Sequence, residues 1–158
     1  MRNQIMLILT MISFITLSAQ DKTSEEVINE VNTLKNKGVK NIIVISNESN
    51  KNVILWKENG KEKAMKVYGK KPDCLKKKKV RLSKKEKEYF NYCLNNYQYI
   101  QGIDNNNCDE RVHAFTEISV KGIINGETES LYKFYSHCGT EQQRLKIKPL
   151  INLYHSLL

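Results

Sequence analysis

The sequence predicts an α+β fold: an antiparallel sheet of two β-hairpins plus one or two further strands, with three helices in the order αβββ-αββ(β)α. Three observations carry this. Asn59-Gly60 and Asn125-Gly126 each sit between β-prone segments, and a type I′ hairpin turn needs two central residues that tolerate positive φ. Thr23–Glu26 and Ser83–Glu86 have the spacing of a capping box, and each is followed by apolar residues at helical spacing. Neither an internal repeat nor a linker divides the chain.

In order along the chain, Val27, Ile28, Val31 and Leu34 form the apolar stripe of the first helix, and Gly38 supplies its stop. Asn41 to Ile45 is a β-branched run and reads as a buried strand, followed by a polar loop from Ser46 to Asn52. Val53 to Trp56 then pairs with Ala64 to Tyr68 across Glu58-Asn59-Gly60-Lys61. Gly69 to Leu82 shows no periodicity and reads as a basic loop. The second helix carries Tyr89, Phe90, Cys93, Leu94 and Tyr97 as a core-packing stripe. Gly102 to Asp109 consists of turn-forming residues. Val112 to Ile124 is a long strand, with Val112, Ala114, Thr116, Ile118 and Val120 on one face, and Leu131 to Ser136 returns beside it. Arg144 to Lys148 alternates and reads as a short edge strand. Pro149 suits the first position of a last helix that places Leu150, Leu153, Tyr154 and Leu157 together. The helices are expected on one face of the sheet.

The N-terminus has the three parts of an export signal. Arg2 precedes an apolar run from Ile5 to Leu17. Ser18-Ala19-Gln20 offers small residues for cleavage, and Asp21-Lys22 turns polar. The run is 13 residues, short of the roughly 20 that span a bilayer as a helix. The expectation is a cleaved signal peptide over 1–19 and one disulfide-stabilised domain over 20–158, periplasmic or secreted, with no integral membrane span after cleavage. The first cysteine is Cys74, so no cysteine stands ready for lipid attachment behind the signal.

Four cysteines in an exported chain read as two disulfides. Counting outward from a two-residue turn at Asn125-Gly126 places Cys138 opposite His113, close to the loop that bears Cys108. Cys108–Cys138 is therefore the expected bridge, with Cys74–Cys93 tying the basic loop to the second helix. Cys93–Cys108 with Cys74–Cys138 is the alternative. No Cys-x-x-Cys spacing is present, so neither a metal site nor a redox pair is expected, and no cofactor motif appears.

The charge is concentrated. Lys57 to Lys87 holds fourteen basic and four acidic residues, while the whole chain has a net charge of +9, so the remainder is close to neutral. The excess peaks at Lys76, Lys77, Lys78, Lys79 and Arg81, the expected binding residues, and a field of this kind favours anionic partners. Lysine outnumbers arginine by 22 to 4, which suits diffuse attraction and argues against sequence-specific base reading.

Acid–base candidates are sparse. His113 with Asp109 or Glu110 could form a general base and its orienting carboxylate; Glu117, His137 and His155 complete the set. The same register puts His137 opposite Ala114, and so on the other side of the sheet from His113. Without a nucleophile or phosphate-binding motif, the expectation is an exported, non-catalytic binding protein. Its basic loop would dock an acidic partner, either a protein that it inhibits or neutralises or an anionic envelope polymer. The alternatives are a small secreted hydrolase of anionic polymers using His113, and an adhesive envelope component pairing through the Arg144–Lys148 edge.

Overall fold

The computed structural model describes residues 25–47, 51–69, 75–106, 108, 117–128 and 131–158. The expected signal segment, the Thr23 cap, Cys74, Asp109, Glu110 and His113 lie outside these. The elements are α1 (Glu25–Asn36), β1 (Asn41–Asn47), β2 (Lys51–Glu58), β3 (Lys61–Tyr68), β4 (Lys76–Val80), α2 (Lys84–Asn95), α3 (Gln98–Gln101), β5 (Glu117–Ile124), β6 (Glu127–Thr128), β7 (Tyr132–Tyr135) and α4 (Glu141–Leu157). The class is α+β, and every strand pair is antiparallel.

The seven strands form one sheet in the order β4-β3-β2-β1-β5, with β6 and β7 taking successive stretches beside β5. Both hairpin turns form as their residues require. Asn59 and Gly60 have φ of 50° and 72°, and Asn125 and Gly126 have φ of 55° and 90°. The second hairpin then slips. Ile123 faces Thr128, yet Val120 faces Tyr132, so the returning side holds one residue more than β5 over that stretch.

β1 sits in the middle and is buried on both sides, which explains its unbroken apolar run. Ile42 and Val44 face one core, completed by Ile54, Trp56, Val67 and Ile123 and covered by Val27, Val31 and Leu34 of α1. Ile43 and Ile45 face the other, completed by Val53, Leu55, Ile118, Val120 and Phe134. Phe90 and Cys93 of α2, Ile100 of α3, and Ile147, Leu150, Leu153 and Leu157 of α4 cover that side. The helices therefore lie on both faces, not on one as expected. A central strand with four consecutive apolar residues, Ile42 to Ile45, cannot leave either face in water, since burying each such side chain gains about 1.5–3 kcal/mol.

Two further expectations are corrected. The supposed basic loop contains β4: Lys76 to Val80 pairs residue for residue with β3, from Tyr68↔Lys76 to Ala64↔Val80. Four identical lysines hide any alternation, while the backbone of β3 offers a free edge to pair with. The supposed edge strand Arg144–Lys148 is the first half of α4. Thr140 caps that helix, accepting from the Gln143 N–H at 3.2 Å, while Gln143 Oε1 accepts from the Thr140 N–H at 2.8 Å. Pro149 then falls inside the helix, not at its start. Helical packing buries Ile147 to 2% and leaves Leu145 61% exposed, which an alternating strand would have placed together. α3, a single turn, is an additional helix.

Ser83 caps α2 as its spacing predicts: Ser83 Oγ accepts from the Glu86 N–H at 3.2 Å and Glu86 Oε2 accepts from the Ser83 N–H at 2.7 Å. Burial pushes the Glu86 carboxyl up, but the hydrogen bonds from Ser83 and Ser156, with the field of Lys66, together outweigh it and hold the group below its ordinary 4.5. Gly122 serves the opposite side of the same helix layer. A Cβ there would lie 2.4 Å from Cζ of Tyr97, whose ring rests directly on the sheet backbone.

Three outcomes are expected in urea unfolding. Ser83→Ala costs about 1 kcal/mol, the typical loss of an N-cap. Gly122→Ala costs more than Ser83→Ala in the native background and much less in a Tyr97→Ala background, because the clash has gone. A carboxyl with a depressed folded pKa stabilises fully above its unfolded value, and the gain is lost as pH falls through the folded one. The stability gap between the native chain and Glu86→Gln therefore narrows between pH 7 and pH 3.

Candidate functional site

The register of β3 on β4 divides the lysine run between two faces. Lys77 pairs with Val67 and Lys79 with Met65, which puts both on the α1 side. There they meet carboxylates. Lys77 Nζ lies 2.6 Å from Glu30 Oε1, and Lys79 lines a cavity of about 510 Å³ together with Glu58, Glu62, Lys63, Arg81 and Lys87. Glu30 lines it too, and Glu58 and Glu62 are held in their charged forms. The hydrogen bond from Lys63 keeps Glu58 below its ordinary value. Glu62, on the other face of β3 beside α2, is lowered first by Asn91, whose Nδ2 donates at 2.8 Å, with Lys57 3.9 Å away. With Glu30 and Glu58 among its lysines, the α1 side carries charge of both signs.

The α4 side is different. Lys66 stands directly opposite Lys78, and Lys76 opposite Tyr68, which in turn faces Lys51 across β2. Directly opposed side chains on one face are about 4.5–5.5 Å apart at Cβ, and like charges in that position oppose folding. Among the described residues no carboxylate lies within ion-pair range of Lys51, Lys66, Lys76 or Lys78. Glu86 reaches Lys66 only through its field, and its carboxylate is already engaged by Ser83. Lys51, Lys66 and Lys78 surround a pocket of about 270 Å³. Asn52 and Tyr68 border it, and Leu157 and Leu158 at the end of α4 form its apolar wall.

The remaining candidates are dispersed. Glu117 begins β5, with its carboxylate 3.7 Å from Lys133 Nζ. His155 is exposed on α4, beside the Tyr154 ring at 5.2 Å. His137 is buried at 7% exposure in the turn after β7, beyond the paired strand, with Nε2 3.7 Å from Cys138 Sγ. Ligand atoms of Cys108, His137 and Cys138 fall within 4.8 Å of one another. The two sulfurs, however, are bonded to each other in a disulfide and are not available to a metal.

That disulfide is Cys108–Cys138, the pairing favoured from the hairpin, reached by a different route. β7 ends at Tyr135, and Cys138 meets Cys108 itself in an isolated antiparallel bridge; the expected pairing with His113 lies outside the described residues. The second expected pairing, Cys74–Cys93, is not made. Cys93 is a free thiol at 3% exposure, on the stripe of α2 that also carries Phe90 into the core. Burial alone pushes its pKa up to about 12.

Sequence reasoning found Lys78 but missed Lys51, Lys66, Tyr68, Leu157 and Leu158. Counting pairs outward from Asn59-Gly60 would have aligned Lys51 with Tyr68, and it would have put Lys66 on the same face. Recognising β4 was the step that would have added Lys78 to them.

Comparison with known protein families, curated proteins and solved structures finds no match to this chain.

In a Cys74→Ser background, the native protein should show no thiol reactive to an aromatic disulfide reagent and one after denaturation. Reaction in the folded state would mean that Cys93 is not in the core. Replacing Cys108 and Cys138 together by Ser should lower stability by about 2–5 kcal/mol.

Proposed function

We propose that the protein is an exported, non-catalytic binding module whose β3–β4 lysine surface docks an acidic partner, a protein or an anionic envelope polymer. The observation that carries this is the α4-side cluster. Lys66 and Lys78 are held face to face with Lys51 nearby, and among the described residues no carboxylate lies within ion-pair range of them. Lysines that merely keep an edge strand soluble need no such convergence; those of the α1 side are interleaved with Glu30 and Glu58. An anion bound between Lys66 and Lys78 would relieve their mutual repulsion. Export is supported by the signal-like residues 1–19 and by the disulfide, a bond that persists in oxidising compartments.

A charge-matched pair of variants tests the docking. Lys76, Lys77, Lys78 and Lys79 changed together to Gln should elute from an immobilised polyglutamate column at much lower salt than the native protein. Lys35, Lys37, Lys40 and Lys148 changed to Gln, an equal loss of charge elsewhere, should change elution little. Equal losses would reduce the effect to net charge and overturn the docking surface.

A further inference from the structure

Resting on that reading and narrowing it, we infer that the α4-side pocket is a binding site for a small amphiphilic anion, a carboxylate head on an apolar tail. The head group follows from the three lysines. They enter the pocket from β2, β3 and β4, so their geometry is fixed by strand pairing rather than by loop conformation. An ionised acceptor makes stronger hydrogen bonds to ammonium donors than a neutral one does, and the low-dielectric wall reduces screening of the pair.

The tail follows from the rest of the lining. Leu157 and Leu158 close one side, and Tyr68 presents its ring at 37% exposure. Among the described residues, large hydrophobic side chains with so much exposure are few, and the other two, Ile28 and Leu145, are not in this pocket. An apolar side chain left in water next to converging charges is what a ligand with both characters would cover. A bare inorganic anion would leave Tyr68 and the partly exposed Leu158 uncovered, and a neutral apolar molecule would leave the lysines facing each other. The cavity, about 270 Å³, is near the lower end of ligand pockets and suits a short chain.

The α1-side lysines provide an internal control. Lys77 and Lys79 belong to the same strand and carry the same charge, but they point away from the pocket. The experiment is titration of the purified protein with octanoate, followed by calorimetry and by NMR of the leucine methyl groups. Acetate and 1-octanol serve as head-only and tail-only probes. Octanoate should bind saturably at one site and shift Leu157 and Leu158, with acetate and 1-octanol each at least tenfold weaker. Lys66→Gln with Lys78→Gln should weaken octanoate at least tenfold, while Lys77→Gln with Lys79→Gln should leave it within twofold. Acetate binding as well as octanoate, equal losses in the two double variants, or no octanoate binding would each overturn the inference. So would an acidic peptide that binds the same site more tightly than octanoate. Retention on polyglutamate reads the broader proposal separately: a protein that stays on the column but ignores octanoate docks anions without this pocket, and one that does neither loses both.

Discussion

Everything in this molecule depends on β1 having no polar face. Ile42, Ile43, Val44 and Ile45 are all buried, alternating between two cores, and no single layer of helices can shelter both. The strand must have a neighbour on each side and a helix above and below. β2 and β5 pair with its two edges, α1 covers one face, and the α2–α4 layer covers the other. The chain order follows: the first helix and first hairpin build one core and half of the sheet, and the later segments complete the second.

The same constraint decides where charge can go. Beside β1 lysines stand singly, as Lys121 does opposite Val44, and the dense basic run lies at the far margin of the sheet. β4 is that margin, at the end of the strand order, and its lysines are exposed. Antiparallel pairing then sorts them by parity without any preference of their own. Half fall among the carboxylates near α1, and half fall beside the end of α4. The asymmetry of the site is thus a product of register, and a one-residue slip of β4 would exchange the two halves.

Much of the architecture was legible where residue chemistry is local. Asn-Gly turns, the Ser83 box and the stripe of α2 specify themselves through φ, hydrogen bonds and spacing within a few residues. What was not legible depended on distant partners. Lys76–Val80 becomes a strand because β3 has an edge to offer, and nothing inside four lysines says so. Arg144–Lys148 satisfies both a period of two and a helix; the Thr140–Gln143 cap and the demand of the second core for Ile147 decide it. The extra residue beside β5 defeats any counting from the turn at Asn125, yet Cys138 reached Cys108 because the strand ended before the count mattered. Of the site, the concentration of charge was visible, but the pocket joins three strands and a helix end and has no linear signature.

The burial of Cys93 bears on how a single correct disulfide survives in a chain with four cysteines. Scrambling requires a thiolate with access to a sulfur–sulfur bond. In the folded molecule Cys93 has neither charge nor access, since packing by α2 excludes solvent and the proton stays on. During oxidative maturation, before α2 docks, the same thiol is a competent nucleophile and any cysteine pairing is open to exchange. Docking of that helix therefore withdraws Cys93 from exchange. Afterwards attack by this thiol is governed by how rarely α2 leaves the sheet, not by the reactivity of sulfur.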